Sequence, residues 1–272
     1  MRRISMTSTS NRQYRAGELT VSVHSDITEM ARGAAQVAAA QLSEALASRG
    51  EAAAILATGN SQLKFLEVLV AGQGKEWDLD WSKITLFHMD EYLGLPDTHT
   101  ASFRRYMKER VESKLKPRKF NYVGGDALEP IKECERYEAL LKAQPIDLCC
   151  LGIGENGHLA FNDPPVANFE DQRLVKIVRL DEGCCRQQVG EGHFPDLASV
   201  PPYAITLTIP ALCKVGRILA IVPEKRKAQA VFNSLVGPIS TVCPGSYLRT
   251  QPHAILYLDA DSANQLPAEL GN

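Results

Sequence analysis

The 272-residue chain has few aromatics, 7% of its residues, and no excess of either charge. It has no apolar run approaching the roughly 18 residues that would suggest a membrane-spanning helix. Thirty Lys plus Arg against 32 Asp plus Glu leave a formal charge of -2, so no global field holds the chain on nucleic acid or on an anionic membrane. An anionic ligand must therefore be held locally. CxxC and zinc-ligand spacings are missing. The seven cysteines are an odd number in a long chain, and Cys149-Cys150 and Cys184-Cys185 are adjacent pairs, which argues against a secreted disulfide framework and against a structural metal. They read as buried thiols of a protein in a reducing cytoplasm. What is present is ordinary globular composition, 44% hydrophobic and 23% charged, enough for a sizeable core.

The opening stretch MRRISMTSTSNRQYRAG carries Arg and Ser/Thr, no acid and no apolar segment for a secretory signal, so residues 1–18 are expected to be a flexible tail and 19–272 a single domain. Leu19 to Val23 alternates like a strand, and Ser25 or Asp26 can cap a long Ala-rich helix ending at Gly50. Further strands are expected at Ala53 to Ala57, Ile84 to Phe87, Ile146 to Leu151, Val175 to Leu180, Ala204 to Leu207, Ile218 to Val222 and Ala254 to Leu258. Helical spacing runs through Leu63, Phe65, Leu66 and Leu69, from about Ser102, across Glu133 to Leu141, over Lys225 to Val236 and from Ala260 onward. Short apolar strands alternating with amphipathic helices predict an α/β fold, an open, mainly parallel, Rossmann-like sheet with helices on both faces. Pro-rich loops at Asp163-Pro164-Pro165 and from Phe194-Pro195 to Pro201-Pro202 flank an excursion that suits a lid.

Ligands of such sheets bind beyond the carboxyl ends of the strands, so the loops after Ala57, Phe87 and Leu151 are expected to converge on one cleft. In the first, Thr58-Gly59-Asn60-Ser61 puts small polar residues and a glycine where a strand turns into a helix, a setting for backbone N–H groups to hold phosphate or simply for an N-cap. It is neither a Walker A loop nor GxGxxG. In the second, Asp90 and Glu91 follow a buried-type strand; partial desolvation in the cleft would make Asp90 a better proton acceptor. In the third, three glycines, Gly152, Gly154 and Gly157, deliver His158 with polar neighbours at Asn156 and Asp163, an arrangement suited to proton transfer near neutral pH. His24, His99, His193 and His253 lack such a setting and read as surface or packing residues, whereas His88, beside Asp90, is expected at the cleft. Lys227, at the start of a helix after a strand, can close on a phosphate as a point charge, with Lys225 and Arg226 beside it as solvated cations.

Together FHMDEYLGL at 87–95, LGIGENGHLAFNDP at 151–164, VPPYAITLTIPAL at 200–212 and, more weakly, ATGNS at 57–61 resemble the glucosamine-6-phosphate deaminase (isomerase) family, which is related to the 6-phosphogluconolactonases. The likeness runs from about Leu19 to Leu258. The Ala-Phe-Asn-Asp-Pro continuation after Gly157-His158 looks like the deaminase branch.

The resemblance implies an enzyme of amino-sugar metabolism that couples aldose–ketose isomerisation of a hexosamine 6-phosphate to loss of ammonia, with no metal or other cofactor. It implies ring opening by His158, proton transfer at C2 and C1 by Asp90, support from Glu91, Asn156 and Asp163, and phosphate binding by Lys227 with the Thr58–Ser61 loop. Three positions depart from the best-known pattern. Asn156 stands where many members have Asp, Asp163 where many have Glu, and Gln188 at the place of a phosphate-binding arginine, with Arg186 nearby. Asn156 is expected to orient the imidazole, and Asp163, one methylene short, to reach it through a water. The extra N-terminal residues imply little activation by N-acetylglucosamine 6-phosphate. A sugar-lactone hydrolase and a non-catalytic sugar-phosphate sensor are the competing readings; the absence of a helix-turn-helix or basic segment weighs against the sensor. Glucosamine against galactosamine phosphate, and monomer against homo-oligomer, stay open at this level.

Overall fold

A computed structural model of the protein describes residues 12–267. The first strands, β1 (Arg12–Ala16) and β2 (Leu19–His24), form an antiparallel hairpin with Arg12 opposite Val23 and Ala16 opposite Leu19. The tail expected over 1–18 is thus a strand from residue 12. Tyr14 and Ala16 are buried while Arg12, Gln13 and Arg15 are exposed, a period-two pattern too short to stand out in a polar stretch. Residues 1–11 of that expected tail lie outside the described residues.

Helix α1 (Ile27–Arg49) starts at Asp26, whose carboxylate accepts from the Thr28 and Glu29 N–H groups, and stops at Gly50. Such a cap is worth about 1 kcal/mol. Its buried stripe, including Ala31, Ala34, Ala35, Ala38 and Ala39, is small enough to seat the helix close against the sheet. The chain continues through β3 (Ala52–Leu56), α2 (Leu63–Gly72), β4 (Ile84–His88), β5 (Asp90–Tyr92), α3 (Phe103–Met107), α4 (Ser113–Leu115), β6 (Lys119–Asn121), α5 (Pro130–Lys142) and β7 (Leu148–Leu151). It then forms β8 (Val175–Arg179), α6 (Glu182–Gly190), β9 (Tyr203–Leu207), α7 (Ile209–Cys213), β10 (Ile218–Val222), α8 (Ala228–Val236) and β11 (Ala254–Asp259). After β11, where a helix from Ala260 is expected, the chain instead makes turns in which the Ser262 N–H donates to the Asp259 carboxylate.

Among the described residues, eight strands form one sheet in the order β1-β2-β11-β10-β7-β3-β4-β6, parallel except for β1. Successive residues of its inner strands point into different cores. Ala53, Ile55 and Cys149 pack with Tyr137 of α5 and Leu235 of α8, whereas Ala54, Leu56 and Cys150 pack with α1, α2 and Met107 of α3. Burial on both faces is why these strands read as unbroken apolar runs. No helix among the described residues is long and apolar enough to cross a membrane.

The strands expected at Val175 and Ala204 do not join this sheet. They form a second, antiparallel sheet in the order β5-β9-β8, with Asp90 opposite Thr206 and Val175 opposite Leu207. β8 is an edge strand of this sheet and only partly covered: Val175 and Val178 are buried while Lys176, Ile177 and Arg179 are not. Beneath it Tyr92, Phe103, Phe161 and Phe194 make an aromatic cluster. The excursion expected as a lid, between the loops at 163–165 and 194–202, holds β8 and α6.

Candidate active site

A pocket with about 550 Å³ of free space, counting its open mouth, lies at the carboxyl ends of β3, β4 and β7. Ala57, Thr58, Gly59 and Ser61 line it from the first loop, Met89 and Asp90 from the second, and Gly152, Gly154 and His158 from the third. Lys227 closes one side, and α6 and the residue after it contribute Gln187, Gln188 and Glu191. The three loops do converge.

Asp90 and Glu91, adjacent in β5, are used differently because neighbouring residues of a strand face opposite ways. Asp90 is 5% exposed and faces the pocket. Burial, and then the neighbouring Glu91 charge, push its carboxyl well above the usual carboxylate range. Glu91 faces away. Its carboxylate accepts from the Ser102 hydroxyl at 2.8 Å, from the Phe103 N–H at 3.2 Å and from the Arg104 N–H at 2.9 Å. It therefore anchors the start of α3, where unpaired N–H groups and the helix dipole favour an anion, and it is not part of the pocket wall. His88 also departs from expectation. It is fully buried among Phe120, Tyr122 and Tyr137, and its Nε2 accepts from the Val123 N–H at 2.9 Å. Desolvation, with a smaller push from Arg104, lowers it to about 3, so it is a neutral structural side chain.

His158 lies across Gly154 so closely that a Cβ on Gly154 would stand 2.2 Å from the imidazole. Only glycine leaves room for the ring. Behind the ring, Nδ1 is 2.9 Å from Asp163 Oδ1, a bent approach. Asp163 reaches the imidazole directly, without the water expected from its shorter side chain. Burial raises the Asp163 carboxyl, but His158 chiefly, and then Asn156 and the Asp181 N–H, outweigh it and hold the group below its ordinary range. Asn156 does not touch the ring: its Nδ2 donates to Asp163 Oδ1 at 2.9 Å and its Oδ1 accepts from the His158 N–H at 3.1 Å. Asn156 and Asp163 are thus positioning residues behind the pocket wall. Ala160, further along this loop and on the wall, has a left-handed φ of 49°, backbone strain of the kind that concentrates at functional sites.

Cys184 joins His158 and Asp163 in a buried set whose ligand-type atoms lie within 4.8 Å of one another. Burial, and then the Asp163 charge, push the Cys184 thiol well up. The thiol stands as a hydrogen-bond donor beside Asp163.

Also on the wall, Lys227 is 2% exposed, and its ammonium has no hydrogen-bond or ion-pair partner among the described residues. Desolvation lowers its ammonium from its ordinary value. Thr58, Gly59 and Ser61 line the same pocket, whereas Asn60, expected beside them, turns to donate to the Glu191 carbonyl at 3.2 Å. Gln188 lines the wall and accepts from the Tyr92 hydroxyl at 2.5 Å, while Arg186 is exposed and pairs with Glu182. Arg226 is not a solvated cation: it meets Glu224 at 2.6 Å, Glu191 at 3.1 Å and Glu155 at 3.7 Å. Sequence reasoning missed Glu191. Its only advance signal is an acid between two glycines, Gly190 and Gly192, just ahead of His193.

Residues 25–256 match the family model described as glucosamine-6-phosphate isomerases/6-phosphogluconolactonase. The chain is 35% identical over 225 residues to glucosamine-6-phosphate deaminase 1 of Giardia intestinalis, covering 82% of this chain and 83% of that one. It is 31% identical over 247 residues to the glucosamine-6-phosphate deaminase of Exiguobacterium sibiricum, covering 89% and 93%. Among solved structures, a monomeric glucosamine-6-phosphate deaminase superposes with a TM-score of 0.81 at 30% identity, over 90% of this chain and 98% of that one. A 6-phosphogluconolactonase from Thermotoga maritima superposes at 0.71 with 21% identity over 89% and 99%, a likeness of fold alone.

Proposed function

The chain belongs to the glucosamine-6-phosphate isomerase/6-phosphogluconolactonase family, and we propose that it works in the deaminase branch, converting glucosamine 6-phosphate or a close epimer, with water, to the ketose 6-phosphate and ammonia. The observation that carries this reading is one pocket lined by an acid and an imidazole, Asp90 and His158, together with a buried ammonium, Lys227, that has no side-chain partner among the described residues. Relatives that share at least 30% of its residues over most of both chains bear the deaminase name.

In the mechanism we assign, His158 moves a proton between the anomeric hydroxyl and the ring oxygen, opening the pyranose. Asp163 holds the imidazole and steadies its cation by charge, a task the neutral Asn156 cannot perform. The Asp90 carboxylate takes the C2 proton, leaving an enol-type intermediate that carries the nitrogen on C2. Returning a proton at C1 turns that carbon–nitrogen bond into an imine. Water adds at C2 and ammonia departs. The raised basicity of Asp90 strengthens it as acceptor of a carbon-bound proton, so turnover rises with pH through a value above the usual carboxylate range. Lys227 and the loop from Thr58 to Ser61 hold the phosphate and fix the sugar's distance from Asp90. All seven cysteines are free thiols, which suits a reducing compartment, and we place the enzyme in the cytoplasm.

The test is an ammonia-release assay over hexosamine 6-phosphates, with a phosphogluconolactone in parallel. Release of ammonia, with deuterium at C2 slowing turnover or washing into solvent, is expected. Lactone hydrolysis without ammonia would move the protein to the other branch.

A further inference from the structure

The anion end of the pocket already contains an anion. The Glu191 side chain is 4% exposed and forms part of the pocket wall. Its Oε1 accepts from Gln187 Nε2 at 2.8 Å and lies 3.1 Å from Arg226 Nη1, and its Oε2 lies 3.3 Å from His193 Nε2. A Cβ placed on Gly59, in the loop assigned to phosphate, would stand 3.9 Å from that same Oε2. Lys227, the buried cation facing this loop, is close enough to help keep Glu191 ionised but makes no direct contact with it.

The surrounding charges do not favour a second anion. Two cations, Lys227 and Arg226, stand with three carboxylates, Glu191, Glu155 and Glu224, all three of them within reach of Arg226. A phosphate dianion placed against Lys227 meets the Glu191 charge in a partly desolvated space, where repulsion is several times stronger than in water. The backbone provides a way out. Glu191 sits between Gly190 and Gly192, Gly192 has a φ of 80°, and neither glycine has a neighbour within 4 Å of where a Cβ would stand. Glycine on either side leaves the backbone at Glu191 uncrowded, and swinging the carboxylate out of the pocket gives up its contacts to Gln187, Arg226 and His193.

We propose that Glu191 is a specificity-determining residue that holds the place of the ligand's phosphate: its carboxylate occupies the anion end of the pocket until a phosphate ester displaces it. The inference rests on the assignment of Lys227 as phosphate anchor. Glu191 thereby lowers the affinity of Lys227 for small anions, and a ligand must bring a full phosphate and a sugar body to dislodge it.

The experiment measures inorganic phosphate binding to the full chain by calorimetry, for wild type and E191Q, alongside the KM for the hexosamine 6-phosphate. The amide keeps the size of the side chain and removes its charge. E191Q is expected to bind phosphate roughly tenfold tighter and to show a lower KM, because an unscreened like charge at this range is worth at least that factor. A merely structural role for Glu191 predicts the opposite sign, since loosening α6 weakens binding. Unchanged or weaker phosphate binding in E191Q overturns the proposal. Should E191Q fail to fold, E191D, whose carboxylate is drawn back by one methylene, is read in the same way. If no hexosamine phosphate yields ammonia with wild type while E191Q tightens phosphate, the deaminase reading falls and this one stands. If ammonia is released and phosphate binding does not tighten, this one falls alone.

Discussion

At one end of the pocket Asp90 and His158 stand on the rims of β-strands, backed by contacts from behind: Asp163 and Asn156 under the imidazole, and the chain packing around β5 under the carboxyl. At the other end a lysine without a partner faces a carboxylate carried between two glycines. The first end is a fixed geometry in which charge is withheld; burial keeps Asp90 reluctant to ionise. The second is a balance of opposed charges, Lys227 and Arg226 against Glu191 and its neighbouring acids. Proton transfer to carbon tolerates little displacement, whereas holding a phosphate needs attraction that can be released again.

Breaking the first end gives the largest effects. Asp90→Asn is expected to lower ammonia release by about a thousandfold, and at the same time to raise the melting temperature at neutral pH. The sign follows from linkage. A buried acid whose folded value lies above its unfolded one holds a proton the unfolded chain has lost, so stability falls as pH rises above the unfolded value. The amide removes that cost. Parallel calorimetry and kinetics check both halves, and a variant that is inactive yet less stable would contradict the burial argument.

Asp163→Asn leaves the ring a neutral partner and is expected to cost about a hundredfold in kcat, with KM little changed; a change confined to KM would place Asp163 outside the proton path. At the other end, Lys227→Ala should raise KM for phosphorylated sugar by about tenfold or more while affecting the unphosphorylated sugar far less, since the anchor contributes a charge-assisted contact. Equal losses on both would remove the distinction between the two ends. The smallest effect concerns His88, whose ring is buried among Phe120, Tyr122 and Tyr137 and does not line the pocket. Its folded value of about 3 lies below its ordinary one, so the neutral buried ring contributes fully above pH 6.5 and that stability is lost as pH falls from about 6.5 towards 3. His88→Gln should flatten the dependence of urea midpoint on pH in that window.

The sequence was most readable where burial is two-sided. The runs at 53–57, 84–87 and 218–222 declare inner parallel strands because both faces are covered, and strand-end loops then mark the pocket. It was least readable where partnership is distant. Asp90 and Glu91 are indistinguishable until β5 is known to pair with β9, after which one must face the pocket and the other α3. Asn60 reads as a ligand contact, but the carbonyl it binds is 131 positions away. Arg226 reads as solvated because two of the three acids that claim it, Glu155 and Glu191, come from distant segments.

A single residue, Met89, separates the end of β4 from the start of β5. The proton acceptor therefore rides on the smaller sheet while sitting one step from the larger. Since Asp90 is laddered to Thr206 of β9, and β9 to β8, any tilt of the three-stranded layer is transmitted to the reacting carboxyl with almost no slack. Chemistry at the strand ends of the larger sheet is thereby positioned by the smaller one.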